Sequence, residues 1–500
     1  MPTRGAAPEK LTAGQAVLLA AAAVLLLAIL THALAKTGLL GPDEPRYAAI
    51  GREMAASGDW LTPRLWTEPP APLALEPWFE KPPLLYWLIA AAFRAGLGPD
   101  WAPRLPVALL SWVFVLFYWQ ALRKLEGAAI ATAASLILAT SAGWMAFSMV
   151  AATDLPLAAA FNAALLCGLL RLQGGGLGLA AAAGVLLGLA VLAKGLVPLV
   201  LALPMLWWAR RDRPGLLAAA SAALLAAGPW FALMAAKHGW PFIDVFFLKH
   251  HFSRFASGEL QHVQPFWFYL PVLLAGLYPW LPLTVGLLPR LWRSGPRLVF
   301  AATLLFGFVF FSASTNKLPG YLLPLWPSLA ALLAVGLHEA RETRRALPAA
   351  AILLALAPVA GSTLPDALLV GLRRAQWGSL PWEYVAAALP FAAAAWLLES
   401  GARRTAAAAV VASGALLGVL SIQLSAFPVL DQVVSARGLA RRVARHQDSL
   451  CVERLHRALR YGLNYYLDRP LPACAEDPRP LVLDQSPGGL PHIRPADSED

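Results

Sequence analysis

Thirteen apolar segments almost empty of charge recur along this chain, at 11–35, 105–122, 128–150, 155–170, 177–193, 195–209, 215–236, 265–288, 298–314, 318–337, 346–364, 384–398 and 405–427. A helix needs about 20 apolar residues to cross a bilayer, whereas barrel strands alternate over about 10. The pattern therefore predicts an α-helical polytopic membrane protein with about 13 transmembrane helices. Composition agrees: 58% of residues are hydrophobic and 14% charged, against about 45–50% and 25% in soluble domains. The net charge of +11 does not point to nucleic acid, because the basic residues sit in short clusters between apolar segments.

Those clusters orient the chain. With the N-terminus cytoplasmic, six successive connections carry Arg123/Lys124, Arg171, Arg210/Arg211/Arg213, Arg290/Arg293/Arg297, Arg341/Arg344/Arg345 and Arg403/Arg404, a positive-inside distribution. Segment 84–93 is short and follows Pro82-Pro83. Counting it as a span would put every cluster outside, so it is expected as an interfacial helix. An odd number of crossings leaves the C-terminus external. Arg4, Lys10 and Ala33-Leu34-Ala35 resemble a cleaved leader. The apolar run from Leu11 to Ala35 exceeds a leader core of about 7–15 residues, which favours an uncleaved first helix.

The chain divides into a multi-span domain, 1–427, with a first external loop at 36–104, and a small C-terminal α/β region, 428–500, with a disordered end after Pro487. Cys167 reads as a core residue. Cys451 and Cys474 share an oxidising compartment, where a disulfide is plausible but not fixed by sequence.

The first loop concentrates the acids. Asp43, Glu44, Glu53, Asp59, Glu68, Glu76 and Glu80 fall within it. An Asp-Glu pair where a membrane helix meets water is either a helix cap or a functional group. Arg46 and Tyr47 follow at once, and Lys81 precedes two prolines. A carboxylate flanked by cations and aromatics suits transfer from an anionic, membrane-held donor. Asp154 can cap the helix beginning near Pro156, Arg254 and Lys317 can snorkel at span ends, and the aromatics Phe266–Tyr269 can anchor at the interface.

DEPRYAAIGREMAASGDWLTPRLW (from Asp43), FEKPPLLYWLIAAAFRAGLG (from Phe79), RLPVAL (from Arg104), TDLPLAAAF, LAKGLV, HHFSRF, HVQPFWFYLP, YPWLPL and FSASTNKLPGYLLPLWPSLA resemble the polyprenyl-phosphate-sugar-dependent transferases of the type C glycosyltransferase class. The resemblance covers roughly residues 10–340. It is nearest to the branch that moves 4-amino-4-deoxy-L-arabinose to lipid A, with protein O-mannosyltransferases and lipopolysaccharide-core galacturonosyltransferases more distant.

The resemblance implies an inverting glycosyltransferase of the bacterial inner membrane with its site facing the periplasm. The implied partners are a polyprenyl (undecaprenyl) phosphate-linked sugar donor and a lipid A, lipopolysaccharide-type or other periplasmic acceptor. It implies Asp43 as base or electrostatic anchor, with Glu44 beside it. Arg46, Lys81, Lys194, Arg254 and Lys317 would bind the donor phosphate, and Tyr47, Tyr321 and Asp154 would line the cavity. No cofactor is required, although Glu80 and His250 match a zinc-binding pair in some members; His251 could replace His250. Two ligands alone fall short of a closed site.

Two other functions compete. A transporter or flippase has as many spans, but it gathers substrate groups near mid-bilayer and often carries repeats; here the charges lie at external helix ends. A protein mannosyltransferase usually presents His-Pro-Pro where this chain has Lys81-Pro82-Pro83. Sugar, acceptor and oligomeric state are not legible.

Overall fold

A computed structural model describes residues 12–68, 73–253, 263–287, 295–341, 343–486 and 489–497. Among these, nine helices are long and apolar enough to cross a membrane. They are α1 (Ala13–His32), α4 (Leu105–Glu126), α7 (Asp154–Leu172), α8 (Leu177–Lys194), Arg213–His238, Pro296–Ala313, Pro319–Glu339, Ala346–Val370 and Arg404–Val433. The other four predicted segments are also helical, though three are broken. Segment 128–150 forms α5 (Ala128–Thr140) and α6 (Ala142–Phe147), and 195–209 forms Val197–Leu201 and Leu203–Ala209. Pro198 and Pro204 open the latter two, since proline fits a first helical turn but interrupts an established one. Segment 265–288 holds a short helix, Tyr269–Gly276, between 3-10 turns, and 384–398 lies within Trp382–Ser400. This arrangement is compatible with about thirteen passages.

The centre of the bundle is α7 and the segment Pro319–Glu339, both largely covered by protein. Polar contacts join them and their neighbours where lipid offers no partner. Asn162 donates to the Pro324 carbonyl at 2.8 Å, and Trp144 donates to Ser111, itself 2.7 Å from Ser148. Peripheral α8 packs on Arg213–His238 through small residues. A Cβ placed on Gly184 would lie 2.1 Å from the Ala219 carbonyl oxygen. At the end away from the first loop, Arg297 joins Glu126 and Glu339 at 2.8 and 2.9 Å, and Arg171 joins Asp212 at 2.9 Å.

The first loop folds as α2 (Asp43–Ser57), an antiparallel hairpin of β1 (Arg64–Trp66) and β2 (Leu75–Pro77), and α3 (Leu84–Arg94). At 11 residues, α3 is about 16 Å long and cannot cross about 30 Å of hydrocarbon. It packs tightly on α2, where Gly51 leaves room for Ile89.

The C-terminal region has its own small core of Leu439, Val443, Leu450, Leu463 and Leu483. β3 (Leu450–Val452) runs parallel to β4 (Leu481–Asp484), and β5 (His492–Pro495) is antiparallel to β4. The end expected to be disordered after Pro487 thus carries the third strand, because Leu481–Asp484 would otherwise expose an unpaired edge. Residues 487–488 and 498–500 lie outside the described part. Cys451 and Cys474 form a disulfide.

This region docks on the first loop through polar anchors. The Tyr466 hydroxyl donates to Asp100 and accepts from the Leu39 N–H, both at 2.9 Å, and Tyr465 donates to the Pro99 carbonyl at 2.6 Å. Arg437 joins Asp100 and Asp431 at 2.8 and 2.7 Å.

Candidate functional site

Helical geometry separates the acid pair at the start of α2. Successive helix residues point about 100° apart, so Asp43 and Glu44 face different surroundings. Asp43 keeps 46% of its side chain exposed and pairs with Arg46 one turn on. Its neighbour is fully enclosed. Glu44 Oε1 accepts from Arg104 Nε at 2.9 Å and from the Ala151 N–H at 2.7 Å. Its Oε2 accepts from Arg104 Nη2 at 2.6 Å and from the Leu40 N–H at 2.9 Å. Four donors saturate this carboxylate. Glu44, expected beside Asp43 in the chemistry, is therefore a structural clamp joining α2, the start of α4 and the approach to α7.

Arg46 is the hub of the first cluster. It contacts Asp43 and, at 3.5 Å, Glu80, whose other oxygen lies 3.1 Å from Lys81 Nζ. The chain Asp43–Arg46–Glu80–Lys81 alternates in sign and is largely buried beyond Asp43. Aromatic rings enclose the guanidinium: Tyr47, Trp78 and Tyr461 have centroids 5.8, 5.5 and 5.1 Å from it. Tyr47 also meets Tyr86 at 5.8 Å. Burial, reinforced by Asp43 and Glu80, pushes the Tyr47 hydroxyl well above its ordinary value, so it stays a neutral phenol.

A second cluster lies at the ends of α7 and α8. Asp154 is the first residue of α7 but pairs with Lys194 at 2.5 Å, and Lys194 Nζ stands 4.5 Å from the Tyr321 ring centroid. Asp154 therefore holds a cation in addition to its place in the first turn. Gly320 permits the close approach, because a Cβ there would lie 2.6 Å from Asp154 Oδ1. Glu44 connects the clusters by fixing Ala151, three residues before Asp154.

Lys317, expected at the donor phosphate, is engaged by backbone carbonyls. It is buried, with Nζ donating to the Gln264 carbonyl at 3.0 Å and to the Ser314 carbonyl. Satisfying these carbonyls makes it a brace for the loop preceding Pro319. Arg254 and the side chain of His250 lie outside the described residues. No group of three or more His, Cys, Asp or Glu that could hold a metal occurs among the described residues. Glu80 sits between two cations, an arrangement that opposes a third positive charge and does not fit a metal ligand.

Sequence reasoning misses Arg104, Trp78, Tyr86 and Tyr461. Arg104 opens the RLPVAL motif, which is its available signal. Tyr461 comes from the C-terminal tail and no local pattern marks it.

The chain matches the family profile of dolichyl-phosphate-mannose-protein mannosyltransferases over residues 80–240. It is similar to the undecaprenyl phosphate-alpha-4-amino-4-deoxy-L-arabinose arabinosyl transferase of Erwinia tasmaniensis, 34% identical over 358 residues, covering 67% of this chain and 62% of the relative. The enzyme of the same name from Pseudomonas aeruginosa PAO1 is 34% identical over 335 residues, covering 61% and 57%. The chain spans about three-fifths of the length of the curated relatives it matches. Among solved structures, ArnT from Cupriavidus metallidurans bound to undecaprenyl phosphate superposes with a TM-score of 0.72 at 26% identity, covering 96% of this chain and 87% of that one. The arabinosyltransferase EmbB from Mycobacterium smegmatis shares the fold, with a TM-score of 0.52 at 15% identity.

Proposed function

This chain belongs to the type C glycosyltransferase superfamily of multi-pass membrane proteins, and from that premise we propose that it transfers a sugar from an undecaprenyl phosphate donor to a lipid A-type or related glycolipid acceptor. The observation that carries the reading is the half-exposed Asp43 carboxylate at one end of a buried chain of Arg46, Glu80 and Lys81. The similarity to a structure bound to undecaprenyl phosphate supports the donor class. The basic clusters at the opposite helix ends support a site on the periplasmic face of the bacterial inner membrane.

In this reading Asp43 orients the acceptor nucleophile and takes its proton as the bond to the anomeric carbon forms with inversion. The sugar–phosphate bond breaks, and its electron pair leaves on the lipid phosphate. Arg46, Lys81 and Lys194 supply the positive charge that stabilises the departing phosphate. Glu80 holds Arg46 and Lys81 in place and Asp154 holds Lys194, while Tyr47 and Tyr321 wall the cavity. The chain's own residues account for these steps without a cofactor.

The test is transfer by the purified protein in nanodiscs from polyprenyl phosphate sugars. Lys81→Ala and Lys194→Ala are expected to weaken donor use about tenfold or more, the value of one charge-assisted contact. Unchanged donor kinetics in both folded variants would remove these lysines from the donor site.

A further inference from the structure

A cavity of about 260 Å³ opens between α2, the β1–β2 hairpin and the tail helix Arg457–Tyr466. The donor chemistry above uses only one of its residues. Arg46, Arg52 and Arg64 line it, with Glu53, Tyr461 and Asn464. Arg52 pairs with Asp468 at 2.9 Å, but that carboxylate is 80% exposed, and Arg64 reaches Asp59 only at 3.8 Å. Arg52 is held further by the Tyr465 carbonyl, to which its Nη1 donates at 2.7 Å. The long-paired Arg64 is therefore the guanidinium fork best able to bind another anion in the bidentate geometry that suits phosphate.

The remaining lining suits a saccharide. The Asn464 amide can both donate and accept, and the buried Tyr461 ring, packed against the Arg46 and Arg457 guanidinium groups, forms part of the wall. Glu53 also lines the cavity, with its Oε2 buried and without a hydrogen-bond partner among the described residues. Burial also raises the Glu53 carboxyl above its ordinary range. The volume is below the roughly 300–1,000 Å³ of a drug-sized pocket, so the cavity fits a headgroup and excludes acyl chains. Arg46 joins this cavity to Asp43, since its side chain lines one and contacts the other.

We propose that this cavity is the acceptor subsite, which takes a phosphorylated saccharide headgroup and places it beside Asp43. The inference rests on the transferase reading. Tyr461 and Asn464 both come from the helix of the C-terminal region, so that region selects the acceptor.

The experiment uses the full chain in nanodiscs, with Arg64→Gln and Asn464→Leu. Neither residue touches Asp43, Lys81 or Lys194 among the contacts described. The acceptor KM is expected to rise about tenfold for Arg64→Gln, the loss of one charge-assisted contact, while donor KM and kcat stay within about twofold. An unchanged acceptor KM, or a donor KM that rises equally, would overturn the assignment. Direct binding of a de-acylated, phosphorylated glucosamine disaccharide, measured without donor, decides the cavity independently of turnover. Wild type is expected to bind it and Arg64→Gln to lose it. Equal competition by inorganic phosphate, or by phosphatidylglycerol in the nanodisc, would show a general anion patch and overturn saccharide recognition. Wild-type protein that binds the disaccharide yet transfers nothing from polyprenyl donors would refute the transferase reading while upholding the cavity.

Discussion

Two adjacent carboxylates at the start of α2 call for opposite experiments. Asp43→Asn preserves shape and removes charge. With Asp43 half exposed, the variant is expected to fold normally and to lose about 10²–10⁴ in transfer rate, the value of a positioned acid or base. Near-normal turnover by the purified variant would reduce Asp43 to a helix-start acid. Glu44→Gln instead leaves Arg104 buried at 3% exposure without its counter-charge. Removing one partner of a buried pair costs about 3–5 kcal/mol, so thermal unfolding in detergent should fall sharply while Asp43→Asn stays near wild type. Sequence places both acids at the membrane surface but cannot divide their roles, because adjacency along a helix says nothing about which side chain meets Arg104, 60 residues away. The surroundings of Lys317 are illegible for the same reason: its Nζ meets the Gln264 and Ser314 carbonyls only once the loops have packed.

At the level of elements, close helix contact does for α8 what apolar burial does in water. Gly184 and Gly188 are spaced by four and face Ala219 and Ala223, a small-residue seam of the kind that draws membrane helices together. Gly184→Val is expected to overpack it and cost about 1–3 kcal/mol. Gly178→Ala, where a Cβ would meet nothing within 4 Å, should leave stability unchanged. Equal thermal shifts for the two would refute the seam. The seam holds α8 against its neighbour and so bears on where Lys194, at the end of α8, is carried. The apolar periodicity announces these helices, yet the breaks near Ser141 and in 197–209 come from local proline and packing choices that hydropathy averages away.

For the whole molecule, the C-terminal region is stapled internally and anchored externally. The Cys451–Cys474 bridge closes a loop of 23 residues, for which about 3 kcal/mol of stabilisation is expected. Cys451→Ser with Cys474→Ser should therefore make this region unfold ahead of the bundle, as read by hydrogen exchange. Acid should loosen it too. Paired hydrogen bonds from Arg454, at 3.0 and 2.7 Å, hold Asp484 below its ordinary range. A lowered folded value gives stability that is present above the unfolded pKa, about 3.9, and lost as pH falls through the folded value. Protection of β4 should thus be flat at neutral pH and decline below about pH 4, and Asp484→Asn should abolish that limb. A decline beginning near pH 6 would point to a different group.

Hydropathy, charge position and motif residues suffice to establish a helical membrane protein, the helix ends that carry the basic residues, and a first loop in which polar chemistry gathers. Those properties are local, acting within about one helix length. Packing of the helices settled which of the collected charges face one another. It buried Glu44 against Arg104, gave Lys194 to Asp154, closed the cysteine pair and brought Tyr461 over Arg46. Ion pairs and ring contacts form over a few ångströms of space, whatever the separation along the chain, and that distance exists only after the helices have packed.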